Sequence, residues 1–228
     1  LERIWETRQI TNNGPLVQEL EQKLRQYLHA PYLRYVSNGT IALQLALKAL
    51  NITGEVITTP FSYVATTTAI LWERCQPVFV DIEEQTCCIN PELIEAALTE
   101  STQAILATHV YGFPCQVEQI ARIAQQYNLK LIYDAAHCFG VQLNGVSLVN
   151  YGDASTLSFH ATKLFHTVEG GAVVTRDEEI NRQIWLLQKF GHIGEEEYVT
   201  IGINAKNSEL HAAMGLCALA ALALPLAV

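Results

Sequence analysis

The sequence AILATH at residues 104–109, followed by VEQIARIAQQY at 117–127 and KLIYD at 130–134, decides the fold class. The two short apolar runs are typical of buried strands, and the stretch between them repeats its apolar residues at helical spacing. A helix that connects two short buried strands is the pattern of a crossover between parallel strands. The three segments therefore predict one βαβ unit of a parallel sheet covered by helices.

The same alternation continues on both sides of this unit. We predict helices at residues 16–27, 40–50, 65–72, 91–98 and 117–127, and strands at 55–59, 77–81, 104–109, 130–134, 154–159 and 172–175. The last two strands form a pair around a turn at Gly170-Gly171. No internal repeat or low-complexity linker divides the chain, so the prediction is a three-layer α/β domain with a mostly parallel sheet.

The composition excludes several classes of protein. Half of the 228 residues are hydrophobic and 16% are charged, which excludes intrinsic disorder. Fourteen Lys and Arg against 23 Asp and Glu give a net charge of −9, and no basic run is present, so we exclude nucleic-acid binding. The six cysteines show neither a CxxC pair nor zinc spacing. This pattern predicts reduced thiols and a cytoplasmic protein.

Polar side chains follow several predicted strands, at the edge of the sheet where open α/β proteins bind ligands. These residues are Tyr63, His109, Asp134, His137, Ser158 and Lys163. The placement is expected of a binding site, although polar loop residues are common.

Two of these residues indicate specific chemistry. Lys163, shielded by Leu164 and Phe165, can act as an amine nucleophile toward a carbonyl, although composition alone favours an ordinary surface lysine. Asp134 ends a buried strand, where a carboxylate is costly unless it meets a cation or several donors. A pyridinium nitrogen is such a cation, and an Asp that caps the next turn is the other interpretation. A metal is not expected, because further ligands do not follow at a convincing spacing.

Two further features complete a possible site. The segment SNGT at 37–40 opens a helix whose N–H groups can bind an anion, although it also fits an ordinary N-cap. Neither GxxxxGK[ST] nor GxGxxG is present, so a nucleoside triphosphate or a dinucleotide is not indicated. Tyr63 can stack on a flat heterocycle, although such an aromatic is more often part of the core. Together, an anion cradle, an aromatic, a carboxylate and a lysine are what a pyridoxal phosphate site requires.

Eight ordered motifs carry a resemblance to a known family. They are ITNNGP at 10–15, SNGT at 37–40, EVITTP at 55–60, PVFVD at 77–81, YDAAH at 133–137, SFHATK at 158–163, EGG at 169–171 and GIN at 202–204. With them, residues 1–215 resemble the DegT/DnrJ/EryC1/StrS sugar aminotransferases, pyridoxal-phosphate enzymes of fold type I. The resemblance implies that residues 1–215 form the α/β/α cofactor-binding domain of that fold. The chain is most similar to the branch that makes dTDP-4-amino-4,6-dideoxyglucose.

The resemblance implies a role for each residue around the cofactor ring. Lys163 matches the lysine that binds the cofactor covalently and then moves a proton as general acid and base. Asp134 matches the aspartate that pairs with the pyridine nitrogen and keeps it protonated. Tyr63 matches the aromatic residue that stacks on the ring. His137 lies where the family has Gln or His near the phenolic oxygen.

The resemblance also implies a phosphate site and a second subunit. Gly39, Thr40 and Ile41 are expected to bind the phosphate through backbone N–H groups and the threonine hydroxyl, with Ser158 as a further donor. Asn204 matches an asparagine that reaches the phosphate of the neighbouring subunit's cofactor, which implies a homodimer with shared active sites. Many relatives carry Arg two residues after this Asn, and Lys at that position here weakens the inference about that contact.

The implied reaction is the transfer of an amino group, with glutamate as the expected donor, to a nucleotide-linked keto-deoxysugar. The expected acceptor is dTDP-4-keto-6-deoxyglucose, in the synthesis of deoxyaminosugars for surface polysaccharides such as the O-antigen of lipopolysaccharide. Sugar dehydratases of the family replace the lysine by histidine, and Lys163 argues against that activity. A truncated, catalytically inactive relative with a binding or regulatory role is the other alternative.

The last residues differ from the rest of the chain. No charged residue follows Glu209, and residues 216–228 are wholly apolar. This stretch is too short to span a membrane, so we expect no membrane association. The family continues here along a charged amphipathic helix toward a small C-terminal domain. We therefore expect residues 216–228 to depart from the family, and the chain to be a truncated, frame-shifted or fragmentary form without that domain.

Overall fold

The computed structural model describes residues 1–194 and 196–222. Its strands are β1 (Tyr32–Val36), β2 (Glu55–Thr58), β3 (Gln76–Phe79), β4 (Thr102–Thr108), β5 (Lys130–Asp134), β6 (Gln142–Leu143), β7 (Val146–Ser147), β8 (Ala154–Ser158) and β9 (Gly171–Thr175). Its α-helices are α1 (Glu2–Thr7), α2 (Pro15–Leu28), α3 (Gly39–Ala49), α4 (Ala65–Trp72), α5 (Val117–Gln126), α6 (Glu178–Leu187) and α7 (Glu209–Leu222).

Seven of the strands form one mixed sheet in the order β1-β9-β8-β5-β4-β2-β3. Six of them, β1, β2, β3, β4, β5 and β8, run in one direction, and β9 is antiparallel to both of its neighbours. Strands β6 and β7 form a separate hairpin. The predicted α/β fold with a mostly parallel sheet is confirmed, and so is the pairing of the strands on either side of Gly170.

Helices cover both faces of the sheet because the strand side chains alternate between two apolar layers. Leu106 packs in the cluster that includes α3, α4 and α6, whereas its neighbour Ile105 packs in the cluster that includes α5. Helices α2 and α7 cover the remainder of that second face. This arrangement leaves the carboxyl ends of the parallel strands and the start of α3 at one edge of the sheet.

Most predicted elements are present within one or two residues, but the helix at 91–98 is wrong. Two 3-10 turns, Pro91–Leu93 and Glu95–Ala97, occupy that stretch. The side chain of Asn90 caps the first turn by accepting from the N–H of Glu92 at 3.0 Å. A segment of eight residues gains little stability from helix propensity alone, so packing decides its form. The sequence prediction also omitted β1, α1, α6, α7 and the β6–β7 hairpin.

Helix α7 crosses residue 216 without interruption. Leu216, Ala218, Leu219 and Leu222 are partly buried against the cluster that contains α2. Residues 223–228 of the predicted tail lie outside the described residues, and the division into a domain and a departing tail stays a prediction. None of the described helices combines the length and the apolar character that crossing a bilayer requires.

Glu209 at the start of α7 caps the start of α2 with its buried side chain. Its Oε2 accepts from the N–H of Leu16 at 2.8 Å, and its Oε1 accepts from the N–H of Val17 at 3.0 Å. Gly14 precedes α2 and offers no capping side chain, so the carboxylate takes that place. A Cβ on Gly14 would lie 2.6 Å from the Glu209 carboxyl carbon, so a larger residue there would displace the carboxylate.

Replacing this carboxylate is expected to destabilise the fold. Glu209→Ala should lower the free energy of unfolding by about 2 kcal/mol, because two buried N–H groups lose a charged acceptor. Glu209→Gln, which keeps one acceptor oxygen, should lower the free energy of unfolding by less than Glu209→Ala does. Urea unfolding followed by circular dichroism measures the change, with Glu84→Ala at an exposed loop position as the control. Equal losses in Glu209→Ala and the control would contradict the capping role.

Candidate active site

A cavity of about 730 Å³ lies at the carboxyl ends of the parallel strands, beside the start of α3. Small-molecule sites have volumes of about 300–1,000 Å³, so the cavity is of suitable size for a cofactor and part of a substrate. The structure brings eight of the nine predicted site residues to its lining. They are Gly39, Thr40, Ile41, Tyr63, Asp134, His137, Ser158 and Lys163.

Asp134 ends β5 at the floor of the cavity, and only 6% of the residue is exposed. Its Oδ2 accepts from the Thr66 hydroxyl at 2.7 Å, and its Oδ1 accepts from the N–H of Ala136 at 3.1 Å. Within residues 1–194 and 196–222, no Lys, Arg or His forms an ion pair with this carboxylate. Asp134 therefore presents a negative charge to the cavity that neutral donors alone hold in place.

The start of α3 satisfies both interpretations of the SNGT segment. Asn38 is an N-cap, since its Oδ1 accepts from the N–H of Ile41 at 2.9 Å. That N–H, a predicted phosphate donor, is thus paired with Asn38 in this structure. Gly39 and Thr40 also line the cavity, and the first N–H groups of a helix have no acceptor within the helix. The phosphate site of Gly39, Thr40, Ile41 and Ser158 stays a prediction.

Close packing at this point requires glycine. A Cβ on Gly39 would lie 2.9 Å from the Cβ of Ser158, and a Cβ on Gly171 would lie 2.5 Å from the carbonyl carbon of Asn38. The first turn of α3 therefore lies directly against the ends of β8 and β9. A side chain at Gly39 would close the space between the helix start and Ser158.

Lys163 lies in the connection between β8 and β9. Its backbone N–H donates to the carbonyl of His160 at 2.9 Å, and Thr162 donates its backbone N–H to His160 Nδ1 at 3.3 Å. These bonds define the turn that carries the lysine. Leu164 is exposed and does not shield the lysine as predicted, whereas Phe165 is buried and stacks on Phe139.

His137 borders the cavity and accepts from the N–H of Tyr111 at 3.1 Å through Nδ1. The tautomer is therefore the one that carries its proton on Nε2. Burial lowers the pKa of His137 below its usual value, and the positive charge of Lys163 lowers it further, while Asp134 acts in the opposite direction. The imidazole is neutral near pH 7 as a result.

Of the remaining candidate residues, Tyr63 lies at the edge of the cavity, and Asn204 and His109 lie outside its lining. Tyr63 is 76% exposed at the edge of the cavity, so it is not a core aromatic. Asn204 is exposed outside the cavity, where its Oδ1 accepts from the Nζ of Lys206 at 2.9 Å. His109 is fully buried, and its ring stacks on that of Tyr133 with the two ring centroids 4.5 Å apart. Burial lowers the pKa of His109 to about 3.

The sequence prediction missed several polar residues of the site. Thr66 holds Asp134, and Thr108, His160 and Glu169 line the cavity. His160 Nε2 and Glu169 Oε1 are 3.6 Å apart. The two residues belong to the SFHATK and EGG motifs, so their types were visible, but their pairing depends on the turn between β8 and β9. Thr66 lies on a mostly apolar helix, and a hydroxyl there gives no signal of its partner.

The sequence matches the model of the DegT/DnrJ/EryC1/StrS aminotransferase family over residues 1–227. It is 52% identical over 216 residues to dTDP-4-amino-4,6-dideoxy-D-glucose transaminase of Shigella dysenteriae. That match covers 95% of this chain and 59% of the Shigella protein, so the chain spans little more than half the length of this curated relative.

Solved structures show the same partial coverage. The crystal structure of DesI in the presence of its TDP-sugar product is similar with a TM-score of 0.92 and 38% identity, over 96% of this chain and 56% of DesI. NtdA from Bacillus subtilis with bound cofactor PMP is similar with a TM-score of 0.88 and 35% identity, over 96% of this chain and 51% of NtdA.

We expect the positive charge of Lys163 to have a measurable effect on the pKa of His137. Lys163→Met keeps the bulk of the side chain and removes the charge, so the pKa of His137 should rise toward 6.5. Lys130→Met, at the opposite end of β5, should leave it unchanged. NMR titration of the imidazole signals measures both values. An unchanged pKa in Lys163→Met would mean that burial alone sets the protonation of His137.

Proposed function

Because the chain belongs to the DegT/DnrJ/EryC1/StrS aminotransferase family, we propose that it binds pyridoxal 5′-phosphate and transfers an amino group to a nucleotide-linked ketosugar. One observation carries the proposal. An amine, a buried carboxylate and the open start of a helix line a single cavity at the carboxyl edge of the sheet.

The residues present fit this cofactor in three ways. The Asp134 carboxylate is held by two neutral donors and faces the cavity, as a partner for a protonated ring nitrogen must. The space between Gly39 and Ser158, which a Cβ would fill, lies at the positive end of the α3 dipole, where a phosphate is stabilised. Among the described lining residues, Lys163 has the one primary amine, which can condense with an aldehyde.

Each residue then has a defined task in the transfer. When bound, the cofactor supplies an aldehyde that condenses with amines and a ring that accepts electron density. Lys163 would hold the cofactor through its Nζ, and the same amine would serve as the general acid and base that moves a proton. Asp134 keeps the ring nitrogen protonated. Neutral His137 donates from Nε2 toward the phenolic oxygen, and exposed Tyr63 covers the ring.

Cofactor binding is tested with the purified chain. We expect it to take up pyridoxal phosphate, to turn yellow, and after borohydride reduction to carry a pyridoxyl group on Lys163 by mass spectrometry. Lys163→Met should lose this adduct, whereas Lys130→Met should keep it. An unaltered chain that takes up no cofactor, or an adduct that persists in Lys163→Met, would overturn the proposal.

For the substrate, we propose dTDP-4-keto-6-deoxyglucose with glutamate as donor. The support is the 52% identity to the Shigella transaminase and the likeness to DesI, which was solved with a TDP-sugar product. A panel of dTDP- and UDP-ketosugars, with the products identified by mass and NMR, should give amination of the dTDP-4-ketosugar. Cofactor binding without transfer to any ketosugar would instead favour a binding or regulatory role, since the chain covers 59% of the Shigella protein.

We extend the proposal to a homodimer with shared sites. Asn204, which the resemblance assigns to the partner's cofactor, is exposed and lies outside the cavity of its own chain. Its Oδ1 accepts a hydrogen bond from the Nζ of Lys206. That Nζ lies 5.3 Å from the ring centroid of Phe190. Light scattering of the cofactor-loaded chain should give the mass of two chains. A mass of one chain would contradict this part of the proposal.

A further inference from the structure

Thr108 has a buried hydroxyl on the floor of the cavity. It is the last residue of β4 and is paired in register with Asp134 on β5. The residue lines the cavity, although only 4% of it is exposed. Among the described residues, no group forms a hydrogen bond with its Oγ1.

An unpaired buried hydroxyl destabilises a protein, and most buried polar groups have a partner. Valine has nearly the same shape and would avoid this cost. A hydroxyl at this position is therefore best explained by a partner that enters the cavity.

Thr58 provides the comparison within the same sheet. It ends β2, is fully buried, and its Oγ1 also has no partner among the described residues. Unlike Thr108, it does not line the cavity. The two threonines share burial and an unpaired hydroxyl, and they differ in whether a ligand can reach them.

We propose that Thr108 is a further cofactor-binding residue of this chain, whose hydroxyl forms a hydrogen bond with the bound pyridoxal phosphate beside Asp134. The inference rests on the proposed function. The bond forms at the ring nitrogen or the phenolic oxygen, the polar ring atoms that Asp134 and His137 serve. Thr108 thereby positions the ring from the β4 side of the cavity.

The test compares Thr108→Val with Thr58→Val in the complete chain. Two quantities are measured: the Kd for pyridoxal phosphate by absorbance titration, and unfolding by urea without cofactor. Thr108→Val should raise the Kd about fivefold, the equivalent of one hydrogen bond, and leave the stability unchanged or higher. Thr58→Val should leave the Kd unchanged, with stability unchanged or higher. Thr108→Ser, which keeps the hydroxyl, should bind like the unaltered chain.

Two results would overturn the inference while the proposed function stands. An unchanged Kd in Thr108→Val would mean that the hydroxyl serves only a water molecule. An equal rise in Thr58→Val would mean that the packing of the sheet, and no contact with the ligand, sets the Kd. Failure of the unaltered chain to bind pyridoxal phosphate is a different result, because it overturns the proposed function itself.

Discussion

Placing the Asp134 carboxylate at the buried end of β5 requires donors from two other parts of the chain. Thr66 reaches it from the first turn of α4, and the N–H of Ala136 reaches it from the turn after the strand. The bond to Thr66 fixes α4 against the carboxyl edge of the sheet, and Tyr63 just before that helix lies at the edge of the same cavity. The buried charge therefore determines the position of one wall of the site as well as its floor.

The electrostatics of the cavity follow from the same arrangement. Lys163 and Asp134 act on His137 with opposite signs, and burial outweighs the attraction of the carboxylate. The histidine remains a neutral donor between two charged groups. At the start of α3, the helix dipole places partial positive charge beside Gly39 and Thr40. The cavity thus separates a region suited to an anion from a region suited to a cation.

Sequence reasoning located strands and the residues at their ends, because short apolar runs and helical spacing are local signals. It placed β5 and Asp134 correctly for that reason. It did not foresee that Thr66 bonds to Asp134, because the partners of side chains on different elements depend on how those elements pack. His109 shows the same limit, since it follows β4 as a site residue does but is buried against Tyr133.

Errors in secondary structure had a related cause. The stretch at 91–98 has helix-forming residues, but the chain there forms two 3-10 turns before it enters β4. Strand β1 was not predicted, although it pairs with β9 along its whole length at the edge of the sheet. Both cases depend on neighbours that are distant in sequence, which override weak local preferences.

The capping of α2 by Glu209 also has a consequence for how the chain acquires its structure during synthesis. The N–H groups of Leu16 and Val17 pair with a carboxylate that is added 193 and 192 residues later. Helix α2 is translated early but reaches its final pairing only when α7 has left the ribosome. The N-terminal part of the domain therefore lacks this contact until α7 has been made, and its folding finishes together with that of α7.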